Sequence, residues 1–166
     1  MKKLSLILGF SMALLFGVGC ATGMDYIDYN NAIVDHFNPT LDAVEASADT
    51  YDVSVPDTVY EDSTIDIATM ESAYTALKEK VDYISSDLML LESQNKEQQA
   101  AVRIALTDYS TKGTVYMEDY REMIDYYTGD FGSDLDQVAI LDEKLYNAYN
   151  DLVDSHNALV DVLESY

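Results

Sequence analysis

Along most of the chain, apolar residues recur at spacings that alternate between three and four. This is the repeat of a helix that buries one stripe against its neighbours. The most regular series is Ile67, Met70, Tyr74, Leu77, Val81, Ile84, Leu88 and Leu91, an unbroken run of more than three heptads. A second series runs Val102, Leu106, Tyr109, Gly113, Tyr116, Tyr120, Met123 and Tyr127. The third is Leu135, Val138, Leu141, Leu145, Tyr149, Leu152, His156, Leu159, Leu163 and Tyr166. A less regular one precedes them: Ile27, Asn30, Val34, Phe37, Leu41, Val44 and Ala48. Pro39 falls inside that series, and its ring removes a backbone bond, which predicts a kink or a break.

Residues between the stripes supply the punctuation. Ser63 or Thr64 suits the cap of the helix that begins near Ile67, and Ser93-Gln94-Asn95 ends it. Gly129 suits a left-handed helix end, and Ser133 or Asp134 the next cap. Residues 51–62 alternate without helical spacing and read as an extended loop crossing one end. Short connections force antiparallel neighbours, so the pattern predicts an all-α, up-down-up-down four-helix bundle over residues 24–166. If the chain does not turn near residue 94, the two middle helices fuse into an elongated three-helix bundle or coiled coil. In the antiparallel register Ile27 lies beside Tyr166, which brings Phe37 into the layer of His156. The terminal helices also resemble each other at a constant offset, with Asn31, Ile33, Val34 and Asp35 matching Asn150, Leu152, Val153 and Asp154. A shared packing role accounts for this more simply than duplication.

Composition narrows the function. The 166 residues carry 31 Asp plus Glu against 9 Lys plus Arg, a net charge of −22. That excludes a surface built to neutralise nucleic-acid phosphates. One Cys excludes a disulfide framework and a Cys-built zinc or iron–sulfur site. The apolar content and 14 Tyr suffice for a folded core.

The N-terminus reads as an address. Lys2 and Lys3 precede an apolar run from Leu4 to Val18, too short for a comfortable span of about 20 residues. Gly17-Val18-Gly19-Cys20-Ala21 follows, and small residues before a Cys at this distance resemble the lipobox of bacterial lipoproteins. The resemblance covers this segment only, and Gly17 stands where that family favours Leu. It implies a signal peptide at residues 1–19, a lipidated Cys20 opening a short tether at 20–23, and membrane attachment through that lipid. It also implies a place in the cell envelope, on the outer membrane of an organism with two membranes. An ordinary secretory cut after Gly19 is the alternative. The Tyr-Asn pairs at 29–30 and 149–150 also resemble helical-bundle lipoproteins of bacteria, with no function attached.

Candidate chemistry is sparse. His156 and Asn30 are polar residues on otherwise apolar stripes. Neither His36 nor His156 has a Glu three residues earlier, so the ligand pattern of a carboxylate-bridged di-iron bundle is missing. Met24 and His156 fit a four-helix haem protein only superficially, and no cofactor is expected. Asp130, Asp134 and Asp136 lie around Gly132 like a cation loop but lack its residue order. There is no nucleophile elbow, phosphate-binding Gly loop or His-Glu-x-x-His helix. Tyr109, Tyr116, Tyr120 and Tyr127 are either core or a surface for a protein or glycan partner. Gly113 among them lets a neighbour approach closely. The expectation is a lipid-anchored, non-enzymatic helical module that contacts another envelope component. The alternative is an extracytoplasmic binding protein that takes divalent cations or cationic small molecules on its acidic surface.

Overall fold

Each apolar stripe winds into a helix. In the computed structural model these are α1 (Tyr26–Ser54), α2 (Ile67–Ser86), α3 (Lys96–Thr128) and α4 (Asp136–Glu164). The structure describes residues 23–129 and 131–166. The expected signal peptide at 1–19, Cys20 with the start of its tether, and Asp130 therefore lie outside the described residues. The helices form an antiparallel four-helix bundle in which α1 packs on α2, α2 on α3 and α3 on α4. α4 closes on α1 through side chains: Asn30 reaches the Leu163 carbonyl at 2.9 Å, Phe37 meets His156 at 4.7 Å between ring centroids, and Tyr51 bonds Asp142. All three pairs belong to the register that sets Ile27 beside Tyr166.

The stripe of α3 is buried as its spacing predicts, and that of α4 from Leu141 to Leu163, whereas Leu135 and Val138 are half-covered and Tyr166 is exposed at the bundle end. Every member of the α3 series faces inward, with Tyr109, Tyr116 and Tyr120 fully enclosed. Each large apolar side chain so buried contributes ~1.5–3 kcal/mol, and an aromatic pair such as Tyr116–Tyr149 adds ~0.5–1.5 kcal/mol. The stripe of α1 differs from its predicted line. Tyr29, Ile33, Phe37, Thr40, Val44 and Ser47 are its buried positions, whereas Ile27, Asn30 and Val34 are half-covered. Thr40 and Ser47 disguise the stripe because polar residues occupy inward sites. Ser47 is satisfied there by the Val44 carbonyl (2.7 Å) and the Tyr116 hydroxyl (3.0 Å). Buried positions 29, 33, 37, 40 and 44 in α1 correspond one for one with 148, 152, 156, 159 and 163 in α4. The terminal helices thus share a burial pattern at the same offset as their sequence resemblance, with Ile33 and Leu152 among the matched residues that are buried.

Several boundaries depart from expectation. α1 continues through Pro39 to Ser54, so residues 51–54 are helical and the loop starts at Val55. Pro39 has no N–H to give Asp35, but Asp35 is exposed and its carbonyl can face solvent. Asp66, not Ser63 or Thr64, caps α2 by accepting from the Thr69 N–H at 3.1 Å. Ser63 instead accepts from the Tyr60 N–H within the loop, at 2.8 Å. The turn near residue 94 is real: α2 ends at Ser86, a single 3-10 turn spans Leu88–Leu90, and Asn95 caps α3 by accepting from Glu97 and Gln98. Gly129 is extended, with φ −84° and ψ −159°, so no left-handed end forms there. A second 3-10 turn, Phe131–Ser133, precedes α4, whose N-cap position is Leu135 with no side-chain cap.

Gly113 sits at mid-length, where α2, α3 and α4 come closest. A Cβ placed on it would lie 3.4 Å from a Val81 methyl and 3.9 Å from Leu152 Cδ1. The close neighbours are therefore side chains rather than another backbone, and a methyl group fits at ordinary contact. Gly113→Ala is expected to stabilise the bundle by ~0.5–1 kcal/mol through helix propensity, raising the melting temperature by about 2–4 °C. Thermal unfolding followed by circular dichroism measures this, and a lower melting temperature would show that the layer has no room for the methyl.

Candidate functional site

One end of the bundle gathers the start of α1, the turn between α2 and α3, and the finish of α4. The chain reaches α1 there through Gly23 and Met24, which pair with the turn. Met24 N–H donates to the Glu92 carbonyl and Gln94 N–H to the Met24 carbonyl, both at 2.8 Å. The Gln94 side-chain amide adds a bond to the Gly23 carbonyl at 3.1 Å. Gly23 has φ +116°, a conformation that favours glycine, and a Cβ there would sit 3.2–3.3 Å from the backbone of residues 92–94. Glycine at 23 is thus required both by its dihedral and by the backbone lying against it.

Beneath this pairing lies a polar network in place of apolar core. Ser93 is fully buried and its hydroxyl donates to Gln98 Oε1 at 2.8 Å. The Gln98 amide donates to Asn30 Oδ1 at 2.7 Å, and Asn30 donates on to the Leu163 carbonyl. Gln99 Oε1 accepts from the Ser93 N–H (3.3 Å) and from Lys96 Nζ (2.9 Å). Arg103 reaches the Leu91 carbonyl at 3.3 Å. A connected network of this kind specifies one arrangement of α1, α3, α4 and the turn, because each broken link leaves a buried polar group unpaired. The sequence marks it weakly: Gln98 stands four residues before Val102, a polar residue on the backward extension of the α3 stripe.

The tyrosines expected either in the core or on a partner surface are in the core. Tyr109, Tyr116 and Tyr120 are 0% exposed and Tyr127 4%, so the four rings offer no surface to a protein or glycan. They line the inward face of α3 because α2 and α4 flank it on both sides. Burial pushes the Tyr127 hydroxyl up to about 12 and the other three higher, so all stay neutral around pH 7. Their partners differ. The Tyr116 hydroxyl bonds Ser47, whereas those of Tyr109 and Tyr120 have no hydrogen-bond partner in the protein.

His156 is buried in the same core, with its ring 4.7 Å from Phe37 and 5.8 Å from Tyr109 between centroids, and its Nδ1 is unpartnered. Burial lowers its pKa to about 4. The ring packs against Phe37 and Tyr109, and burial is the cause of the shift, so the imidazole is a packed neutral group around pH 7. Met24 lies at the bundle end, its backbone bonded to Glu92 and Gln94 and its side chain 36% exposed, whereas His156 packs on Phe37 deeper in the bundle, so the two share no ligand position. Asp134 and Asp136 are exposed beside the 3-10 turn, and Asp130 lies outside the described residues. Among the described residues no group of three His, Cys, Asp or Glu side chains is placed to share a metal ion. A groove of about 240 Å³ lined by His36, Pro39, Glu79, Lys80 and Tyr83 is smaller than the ~300–1,000 Å³ of ordinary ligand sites. His36 there lies against Tyr83 at 4.8 Å between centroids.

Ion pairs ring the exterior and use most of the few bases. Arg121 bridges to Glu71 at 2.8 Å and Asp125 at 2.6 Å while lying 5.5 Å from the Tyr74 ring centre. Lys144 joins Asp119 (2.8 Å) and Glu122 (2.5 Å), and Lys112 joins Asp151 (2.8 Å). Among the described residues no helix is long and apolar enough to cross a membrane.

Two outcomes follow from the core polar groups. Tyr120→Phe removes an unpaired buried hydroxyl and is expected to leave stability unchanged or raise it by up to ~2 kcal/mol, whereas Tyr116→Phe removes the Tyr116–Ser47 hydrogen bond, leaves Ser47 only its bond to the Val44 carbonyl, and is expected to cost ~1 kcal/mol. Urea unfolding of the two variants distinguishes them. For His156 the folded pKa is depressed, so its neutral form contributes stability that is complete above about pH 6.5 and is lost as pH falls towards 4. The melting temperature of His156→Phe minus that of the wild-type chain is expected to grow as pH falls from 7 to 4.5. A difference that stays flat would mean the ring is not held neutral. Comparisons of this chain with family models, curated proteins and solved structures found no match to any of them.

Proposed function

We propose that the chain is a lipid-anchored, non-enzymatic helical module of the cell envelope that contacts another envelope component. The observation that carries this reading is the treatment of the chain just after Cys20. Three residues on, Gly23 and Met24 are held by main-chain bonds to the turn between α2 and α3. Two or three acyl chains on Cys20 would give stable attachment, since each buried methylene adds about 0.8 kcal/mol. The small all-helical domain, with no catalytic or metal-binding cluster among the described residues, fits a module that works by contact.

Metabolic labelling with palmitate is expected to mark the wild-type chain, while Cys20→Ser is expected to lose both the label and sedimentation with membranes. An unlabelled wild-type chain would end the anchoring reading. Capture from crosslinked envelopes is expected to recover a partner that the anchored chain contacts. A specific turnover activity without any such partner would overturn the non-enzymatic part.

A further inference from the structure

Two properties are distributed unequally between the ends of the bundle. The mid-length layer is defined by Thr40, Lys80, Gly113 and Asp151, which meet or lie adjacent through the Thr40–Lys80, Gly113–Val81 and Lys112–Asp151 contacts. On the side where the chain enters, residues 23–39, 81–111 and 152–166 carry eleven carboxylate side chains with Lys96 and Arg103. On the far side, the described residues of 41–79 and 113–150 carry eighteen, with Lys78, Arg121 and Lys144. The far half is therefore much the more negative. The near end also exposes Met24 (36%), Tyr26 (50%), Leu90 (74%) and Tyr166 (38%). These belong to three separate segments that the fold brings to one tip. At the far end Val53 and Tyr60 are also exposed, among Asp52, Asp57, Glu61 and Asp62; the near-end residues have Asp25, Asp28, Asp87, Glu92 and Glu164 beside them, so the ends differ in the charge of their whole halves and in the entry of the chain rather than in acidic neighbours.

We infer that this tip is a lipid-contacting surface and that the bundle stands end-on upon the bilayer, seated through Met24, Tyr26, Leu90 and Tyr166. The inference rests on the anchoring reading and gives it an orientation. Three residues after Cys20 span at most ~11 Å, which keeps the tip at the head groups. The pairing of Gly23 and Met24 with residues 92–94 fixes where the tether leaves the fold, beside Leu90. Tyr rings with an apolar body and a polar hydroxyl suit the interfacial region. Charge decides between standing and lying. Repulsion from an anionic surface decays over ~8 Å at physiological salt. A recumbent bundle holds its most acidic half within that range, whereas an upright one, with α3 about 50 Å long, carries that half far beyond it.

The test uses the full chain, purified from membranes with its lipid and reconstituted in phosphatidylcholine–phosphatidylglycerol vesicles containing a head-group nitroxide lipid. With the Cys20 thiol acylated, Leu90→Cys and, separately, Asp62→Cys each offer one thiol for a fluorophore at an exposed position. Quenching at residue 90 is expected to exceed that at residue 62 several-fold. Tyr26→Ser with Tyr166→Ser in the residue-90 background is expected to reduce the quenching several-fold while leaving the melting temperature unchanged. Equal quenching at both positions would mean the bundle lies flat and would overturn the proposal. Absence of quenching at both, in a chain that still floats with the vesicles, would overturn the seating but leave the anchor standing. A chain that does not float at all would remove the anchor, and the seating with it.

Discussion

Enclosure of the α3 stripe is the constraint around which the other helices are arranged. Tyr109, Tyr116, Tyr120, Met123 and Tyr127 form a wide aromatic face on one helix, and no single neighbour could cover it. α2 and α4 lie on either side of α3, and α1 supplies the remaining wall through Phe37, Ser47 and Tyr51. Val81 of α2 and Leu152 of α4 both lie beside Gly113 in the middle of the stripe. The rings are large enough that hydroxyls such as those of Tyr109 and Tyr120 end inside the core without partners. Such groups cost stability, so the aromatic burial must outweigh them by a wide margin.

The stripes of α2, α3 and α4 were legible in the sequence because nearly all their inward positions are apolar, and the period of the apolar residues is then the period of burial. The α1 stripe was obscured for the opposite reason. Thr40 and Ser47 face inward, while apolar Ile27 and Val34 sit on the flanks, so hydropathy points about one residue away from the packed face. The antiparallel register survived this error, because Phe37 belongs to both the apparent and the actual stripe. Helix ends were the least legible. Asp66, Ser63 and Thr64 are all competent caps, and the choice among them is made by the loop, where Ser63 is already occupied with the Tyr60 N–H. The contact of residues 23–24 with the turn left little trace, since its two shortest bonds are between backbone groups; beyond the Gln94 amide, only Gly23, with its positive φ, carries a residue requirement.

The tyrosine stripe shows why residue type alone could not separate recognition from packing. Tyr is favoured at binding surfaces and in the walls of bundles for the same reason: it offers a large rigid ring with a polar tip. What separates the two uses is whether a neighbouring helix occupies the facing volume, and that depends on chain topology. With α2 and α4 both antiparallel to α3 and in contact with it, the volume is taken. Recognition then has to be sought on faces that the helices leave open, chiefly the two ends and the acidic flanks.

The polar network at the near end gives the placement of the tether a mechanical sense. A chain attached to α1 alone would pass any displacement to one helix, and the first turn of a helix is where fraying is easiest. Here Met24 is bonded to the turn that joins α2 and α3, Gln98 of α3 holds Asn30 of α1, and Asn30 holds the last turn of α4. A displacement of residues 23–24 is therefore shared among all four helices before it reaches the apolar core. An apolar end could not do this as specifically, because dispersion contacts tolerate sliding, whereas a buried amide that moves by an ångström loses its partner. Polar residues at this end cost desolvation and return a fixed geometry where the chain enters α1.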